Sequence, residues 1–145
     1  MKRLRERLDD AVHVAADAPS LSRALLRRAC YRARAGDLGG AKADIGRARG
    51  TRGIPSNLQQ APRIMLAEAL ILFFDAADSA ALDRIRRSSA LALAMADMEG
   101  AALSLAWRCH FEFNFGTPIA LGDALQSFFA RQYCTAEIAE RIGLV

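Results

Sequence analysis

A pattern of apolar and small residues that recurs with a period of 40 residues is the feature of this sequence that most constrains its fold. We call this recurring pattern the echo. In each unit an apolar or small residue recurs at every fourth position, a short break follows, and the same spacing then resumes. The three units are Leu25, Ala29, Ala33, Gly36, Ala41 and Ile45; Met65, Ala69, Phe73, Ala76, Ala81 and Ile85; and Leu105, Cys109, Phe113, Gly116, Leu121 and Leu125. Four-residue spacing is helical, and a fixed period of about 20–50 residues is typical of repeat arrays. The echo therefore predicts three helix–turn–helix units stacked in a row.

The rest of the pattern predicts an all-α protein, since no stretch alternates with the period of two that marks a strand. We expect seven to eight helices, at about residues 3–16, 21–35, 38–49, 62–74, 80–96, 98–115, 119–132 and 137–142. Pro19 should end the first helix, and Pro62 should stand in the first turn of the fourth. Residues 50–57, with two glycines and a proline, are expected to form a loop.

These elements predict a single domain over residues 1–145. The expected fold is a right-handed α-solenoid of about three helix–turn–helix repeats, at about 21–50, 61–96 and 99–131, with an extra helix at each end. Gly36, Ala76 and Gly116 should occupy equivalent turns. The tail after residue 141 is apolar, so we also expect that the C-terminal hairpin could form a homodimer interface.

The cysteines and the apolar runs of the sequence indicate where the protein is located. Cys30, Cys109 and Cys134 are an odd number without C-x-x-C spacing, which indicates reduced thiols in a cytoplasmic protein. The longest apolar run, residues 64–74, contains Glu68 and is too short to span a bilayer. We therefore expect a cytoplasmic protein with no membrane segment.

The charge is unevenly distributed. Residues 1–53 carry 13 Lys and Arg against 6 Asp and Glu, or +7, whereas residues 54–145 carry 7 against 10, or −3. An excess of one sign over part of a chain favours an acidic partner for the basic half. The alternative is that these arginines simply form the solvated faces of their helices.

One unit carries a sequence likeness to a known family. Its residues are Ala29, Gly36-Asp37-Leu38-Gly39-Gly40-Ala41, Ile45 and Ala48. This pattern resembles the tetratricopeptide repeat, which has a small residue in its first helix, a Gly-Asp turn and an Ala-x3-aromatic second helix. The chain departs from the family in its period of 40 rather than about 34 residues, and in the replacement of the Gly turn by Asp75-Ala76-Ala77. Longer repeats of this kind are also similar to helical regions of bacterial signalling proteins.

The resemblance implies that the first helix of each unit lines a concave groove. Carried over by position, the groove residues would be Arg23, Arg27 and Arg34 from the first unit, Arg63, Leu70 and Phe74 from the second, and Trp107, His110 and Asn114 from the third. Arginine binds carboxylates in bidentate fashion and aromatic residues dominate binding hot spots. The implied function is a protein–protein interaction scaffold that binds an acidic or mixed peptide.

No pattern of residues predicts catalysis. His110 follows Cys109 directly, but neighbouring helical residues point about 100° apart, so they do not form a thiol–imidazole pair. We expect no enzyme activity, no cofactor and no metal site, since neither phosphate-binding glycine motifs nor metal-ligand spacings occur. Trp107 and the nearby phenylalanines are expected to form a core. Nucleic-acid binding is the alternative function, and a regulatory fragment of a larger bacterial signalling protein is another.

Overall fold

The computed structural model describes residues 2–51, 54–115 and Gly122, and this part of the chain is helical with no strand. Its six helices are α1 (Lys2–Val14), α2 (Ala18–Arg34), α3 (Leu38–Gly50), α4 (Ile54–Ala76), α5 (Ala80–Ala94) and α6 (Met98–Phe115). The all-α prediction is confirmed. The predicted helices after residue 116, the apolar tail, Cys134 and the C-terminal dimer interface lie outside the described residues, as does the predicted turn at Gly116.

Aspartates precede and cap three of the helices, α2, α3 and α6. At α2 this cap explains why the predicted start of the helix was wrong. The Asp17 carboxylate accepts the Ser20 backbone N–H at 2.7 Å, so α2 starts before Pro19 instead of after it. Proline fits the first turn of a helix because its missing N–H would be unbonded there anyway. Pro62, in contrast, lies well inside α4, and the predicted loop at 50–57 is shorter than expected because α4 begins at Ile54.

Two turns share one capping motif that the sequence analysis did not single out. Asp37 accepts from Gly40 N at 2.9 Å before α3, and Asp97 accepts from Gly100 N at 3.0 Å before α6. The residue before each aspartate is left-handed, with φ of 85° at Gly36 and 56° at Ala96. Positive φ ends a helix by turning the chain away, which glycine does without steric cost.

The helices pack mainly on their neighbours in the chain. α1 packs on α2, α2 on α3 and α4, α4 on α5, and α5 on α6. The main core is made of small and aliphatic residues from these faces, including the fully buried Leu25, Ala29, Ala69 and Ile85. Burial of such apolar surface is the main stabilising contribution, at about 25 cal/mol per Å².

The third unit of the echo has a different register from the prediction. Phe113 was expected to face inward like Ala33 and Phe73, but it is 85% exposed, whereas Phe111 is fully buried. Glu112 is fully buried beside Phe111 and bonds to Arg86 and Arg108. The predicted Leu105 is buried, so the departure is confined to the last part of α6, where Phe111 and a carboxylate with two arginine partners face inward instead of Phe113.

A buried ion cluster also connects the first three helices. Asp44 of α3 is 1% exposed and accepts from Arg28 at 2.9 and 2.7 Å and from Arg32 at 3.0 Å. Arg28 donates in addition to Asp9 of α1 at 2.9 Å. The arginines of α2 that face α3 are therefore structural, because they neutralise a carboxylate that burial would otherwise disfavour.

Candidate functional site

The candidate site is the surface formed by α2, α4 and α6. Arg23, Arg27 and Arg34 follow one stripe of α2, at spacings of four and seven residues. Arg63 and Phe74 lie on α4, and Trp107, His110 and Asn114 lie on α6. Because residues three and four apart share a helix face, each of these stripes presents its side chains in one direction.

The carboxyl-terminal halves of the three helices surround an open depression of about 540 Å³, which we call the aromatic depression. It is lined by Arg34, Phe74, Ala106, Trp107 and His110. Four of the nine sequence-predicted site residues thus meet in one place. Those that come from different helices are 33 to 76 residues apart in the sequence, so only the tertiary fold brings them together.

Edge-to-face ring contacts hold the walls of the aromatic depression. The Trp107 ring centroid lies 5.9 Å from Phe74 and 5.8 Å from His110, with interplanar angles of 86° in both cases. His110 also meets Phe73, at 5.4 Å between centroids. Such pairs each contribute about 0.5–1.5 kcal/mol beyond their burial. The rings therefore form a rigid apolar wall and stay partly open to solvent, with Phe74 37% exposed.

Arg34 supplies the charge at this depression. It is exposed in the last turn of α2, and within residues 2–51 and 54–115 it forms no ion pair. A guanidinium beside an aromatic wall can bind a carboxylate through two parallel hydrogen bonds. The depression thus combines an apolar anchor position with a free cation.

The amino-terminal halves of the helices form a different arrangement, the arginine–carboxylate cluster of Arg27, Arg63, Asp97 and Glu99. Arg63 donates to Asp97 at 3.0 and 2.9 Å and to Glu99 at 3.2 Å. Arg27 forms an ion pair with Glu99. Arg27 and Arg63, which the resemblance assigned to a peptide groove, are therefore bound by Glu99 of α6 and by Asp97, which directly precedes α6.

The ionisation of the arginine–carboxylate cluster follows from these contacts. Burial by itself would raise the pKa of Asp97, but the hydrogen bonds from Arg63 and from Gly100 N outweigh it and lower that pKa. The pKa of Glu99 is lowered in the same way, with Arg27 and Arg63 opposing the burial effect. Both carboxylates are thus held in their charged form, and the cluster is internally neutralised.

Three other predicted site residues occupy other positions. Leu70 is fully buried in the main core, so its assignment to an accessible groove was wrong: it packs between helices instead. Asn114 is exposed and donates to the His110 carbonyl oxygen at 2.7 Å, within its own helix. Arg23 lies at the other end of the surface, near Leu26, Cys30 and Leu103 around a slot of only about 30 Å³.

Three observations concern metal ligands, His110 and Cys109. No group of three or more His, Cys, Asp or Glu side chains in the described ranges could hold a metal ion. The aromatic rings in contact with His110 are those of Phe73, Trp107 and Phe111. Burial raises the pKa of the Cys109 thiol, which is opposite to what a reactive cysteine needs.

Asp97 and Glu99 were not among the site residues predicted from the sequence. They lie 34 and 36 residues from Arg63, and Glu99 is 72 residues from Arg27, so no local spacing connects them. One local signal was available for Asp97: the Asp-x-x-Gly sequence shared with Asp37 marks the start of a helix. That signal places Asp97 at the end of α6 nearest the turn, but it does not identify Arg63 as its partner.

Comparison with known proteins identifies no relative: no family model, no curated protein and no solved structure matches this chain. Among the described helices, none is long and apolar enough to cross a membrane.

Proposed function

We propose that this chain is a non-enzymatic protein-interaction module, built as a tetratricopeptide-like helical array, that binds an extended peptide across α2, α4 and α6. The order of helix packing supports the array: α2 packs on α3 within a unit and on α4 of the next, and α4 packs on α5 in turn. The tetratricopeptide-like Gly36-Asp37 turn lies between α2 and α3. An array of this kind leaves one continuous face free for a partner.

The aromatic depression is the observation that carries the proposal. Partly exposed Trp and Phe rings lie next to Arg34, which forms no ion pair with a described residue, and Trp and Arg are among the residue types that dominate binding hot spots. We propose that an apolar or aromatic residue of the peptide packs against Trp107 and Phe74 while a nearby carboxylate binds Arg34. Phe73 and Phe111, stacked at 4.4 Å between centroids, support the wall from behind.

The arginine–carboxylate cluster argues against nucleic acid as the ligand. Nucleic-acid affinity depends on the number of free cations that can neutralise phosphates. Arg27 and Arg63 are paired with Glu99 and Asp97, so a phosphate backbone would have to displace these carboxylates. Of the predicted site arginines, Arg23 and Arg34 form no ion pair with a described residue, and two such cations suit one or two carboxylates of a peptide better than a row of phosphates.

The test uses Trp107, which is the only tryptophan of the chain. A displayed library of random unstructured peptides is selected against the wild-type protein, and the enriched peptides are titrated while tryptophan fluorescence is recorded. We expect enriched peptides to combine an acidic residue with an apolar or aromatic one and to change the emission of Trp107.

Two variants decide whether the binding is at the aromatic depression. Arg34→Glu should weaken binding by about 10- to 100-fold, since a charge-assisted hydrogen bond contributes roughly 1.5–3 kcal/mol. Arg87→Glu makes the same charge change at an exposed position of α5 and should have little effect. Equal losses in both variants, or peptides that bind without any change in Trp107 fluorescence, would contradict the proposal.

A further inference from the structure

A second open site lies between α1 and α2, away from the aromatic rings. This α1–α2 cleft has a volume of about 680 Å³. It is lined on α1 and the following turn by Leu4, Arg7, Leu8, Ala11, Val14, Ala15 and Ala16, and on α2 by Ser20, Arg23, Ala24 and Arg27. The residues from α1 recur every three or four positions, so they form a continuous stripe along that helix.

The stripe on α1 is unusually apolar for an outer surface. Leu4 is 50% exposed and Val14 is 77% exposed, and they stand 10 residues apart at the two ends of the stripe. In the described part of the chain α1 packs mainly on α2, on which it buries Val12. An end helix of an array usually carries a polar outer face, and a set of exposed apolar residues instead marks an interaction surface.

The charged residues that line the cleft are all arginines. No Asp or Glu is among its lining residues, whereas Arg7, Arg23 and Arg27 are. Arg27 is paired with Glu99, but Arg7 and Arg23 form no ion pair within the residues that the structure describes. Arg7 on one wall and Arg23 on the other, neither in an ion pair with a described residue, complement a ligand with an apolar stripe flanked by negative charge.

The shape of the cleft favours a helix as that ligand. A groove between two helices receives a third helix through anchors at positions i, i+3, i+4 and i+7. The alanines at positions 11, 15 and 24 leave room for close approach, while Leu4, Leu8 and Val14 provide the apolar contact. We infer that the α1–α2 cleft docks an acidic amphipathic helix of a partner protein, with its carboxylates on Arg7 and Arg23. This site is separate from the aromatic depression and takes a ligand of different shape.

The experiment uses the full chain and a displayed library of 18-residue helix-forming peptides, in which the variable positions take Leu, Ala, Gln, Glu or Lys. The length of about 18 residues gives five helical turns, longer than α1 itself. We expect the enriched peptides to carry leucines at helical spacing flanked by Glu, and to lose affinity steeply when salt rises, because exposed charges are screened over about 8 Å at physiological salt.

Selected peptides are then titrated against variants of the protein. Arg7→Glu should lower affinity at least about tenfold, since like charges then face each other, and Val14→Asp should do the same through the apolar contact. Both residues are exposed in α1, so circular dichroism should show unchanged folding. Arg87→Glu again provides the matched charge control on α5.

Several outcomes would overturn the inference. These are enrichment of basic or non-amphipathic peptides, the absence of any enriched helix, and an acidic helix whose affinity is the same for the wild type and Arg7→Glu. Arg7-dependent binding to phosphatidylserine vesicles without an enriched helix would also overturn it, because the ligand would then be a lipid surface.

Discussion

Replacing Asp44 by Asn should destabilise the protein strongly, although the two side chains have nearly the same shape. Asp44 is 1% exposed and its two oxygens accept three hydrogen bonds from Arg28 and Arg32. The amide has no charge, and its NH₂ group would face guanidinium N–H donors. Arg28, whose side chain is only 12% exposed, would then keep Asp9 as its carboxylate partner.

The size of the effect follows from the partners that remain. Removing one member of a buried ion pair costs roughly 3–5 kcal/mol. Arg28 keeps Asp9 at 2.9 Å and Arg32 keeps Asp37 at 3.5 Å, so the lower end, about 3 kcal/mol, is expected. A domain of this size loses about 2–4 °C of Tm per kcal/mol, which gives a fall of roughly 10 °C.

The assay is urea unfolding followed by far-UV circular dichroism, with Asp75→Asn as the matched control. Asp75 is 54% exposed and lies 3.8 Å from Lys42, and exposed pairs of this kind contribute about 0–1 kcal/mol. We therefore expect Asp75→Asn to stay close to the wild type. If the two variants have the same urea midpoint, the argument that buried Asp44 organises α1, α2 and α3 is refuted.

Three further predictions concern backbone strain, a thiol and acid stability. Gly36→Ala should lower the free energy of unfolding by about 1 kcal/mol, because Gly36 has φ of 85°. Gly46 lies inside α3 with open space around it, so Gly46→Ala should raise the free energy of unfolding by up to about 1 kcal/mol. Equal urea midpoints for the two variants would contradict this prediction. Burial raises the pKa of Cys30 to about 12, so native Cys30 should react with iodoacetamide at about pH 8 far more slowly than the unfolded chain, as mass spectrometry of labelled peptides would measure. Burial opposes ionisation of Glu112, but hydrogen bonds from Arg86 and Arg108 lower its pKa below 4.5, so its stabilisation is present above the unfolded pKa and is lost as pH falls through the folded value. Tm should accordingly fall in acid, and less steeply in Glu112→Gln.

The fold could be predicted where local chemistry decides it. Gly36 and Asp37 end one helix and begin the next, and Ala41 and Ile45 are buried as the echo requires. The second unit is equally well predicted at Ala81 and Ile85, which are fully buried. These positions depend on helix periodicity and turn residues, and both can be recognised within a few neighbouring residues.

The third unit could not be predicted in the same way. Phe113 has the correct spacing for the core, yet Phe111 and Glu112 take the inward positions. A sequence pattern treats Glu as a surface residue, because burying a carboxylate is costly without partners. Its partner Arg86 is 26 residues away on α5, so the exception became visible only when the two helices were placed together.

The candidate site also contains positions that were predicted correctly and one that was not. Arg34, Phe74, Trp107 and His110 were predicted from helical position, and all four line the aromatic depression. Leu70 was assigned by the same rule and is buried, because the rule identifies a helix face without its depth. Spacing therefore predicts which residues share a direction, and only packing decides which of them reach solvent.

The uneven distribution of charge along the sequence is partly explained by ion pairs between the two parts of the chain. Residues 1–53 carry an excess of +7, which by itself suggests an external acidic partner. Their cations are in part neutralised by carboxylates of residues 54–145: Arg27 pairs with Glu99, and Arg49 pairs with Glu68. Lys42 likewise lies 3.8 Å from the carboxylate of Asp75. Opposite charges on these two parts of the chain thus favour the packing of the helices on each other. Arg7, Arg23 and Arg34 form no ion pair with any described residue, and they line the two surface depressions where apolar side chains are also exposed.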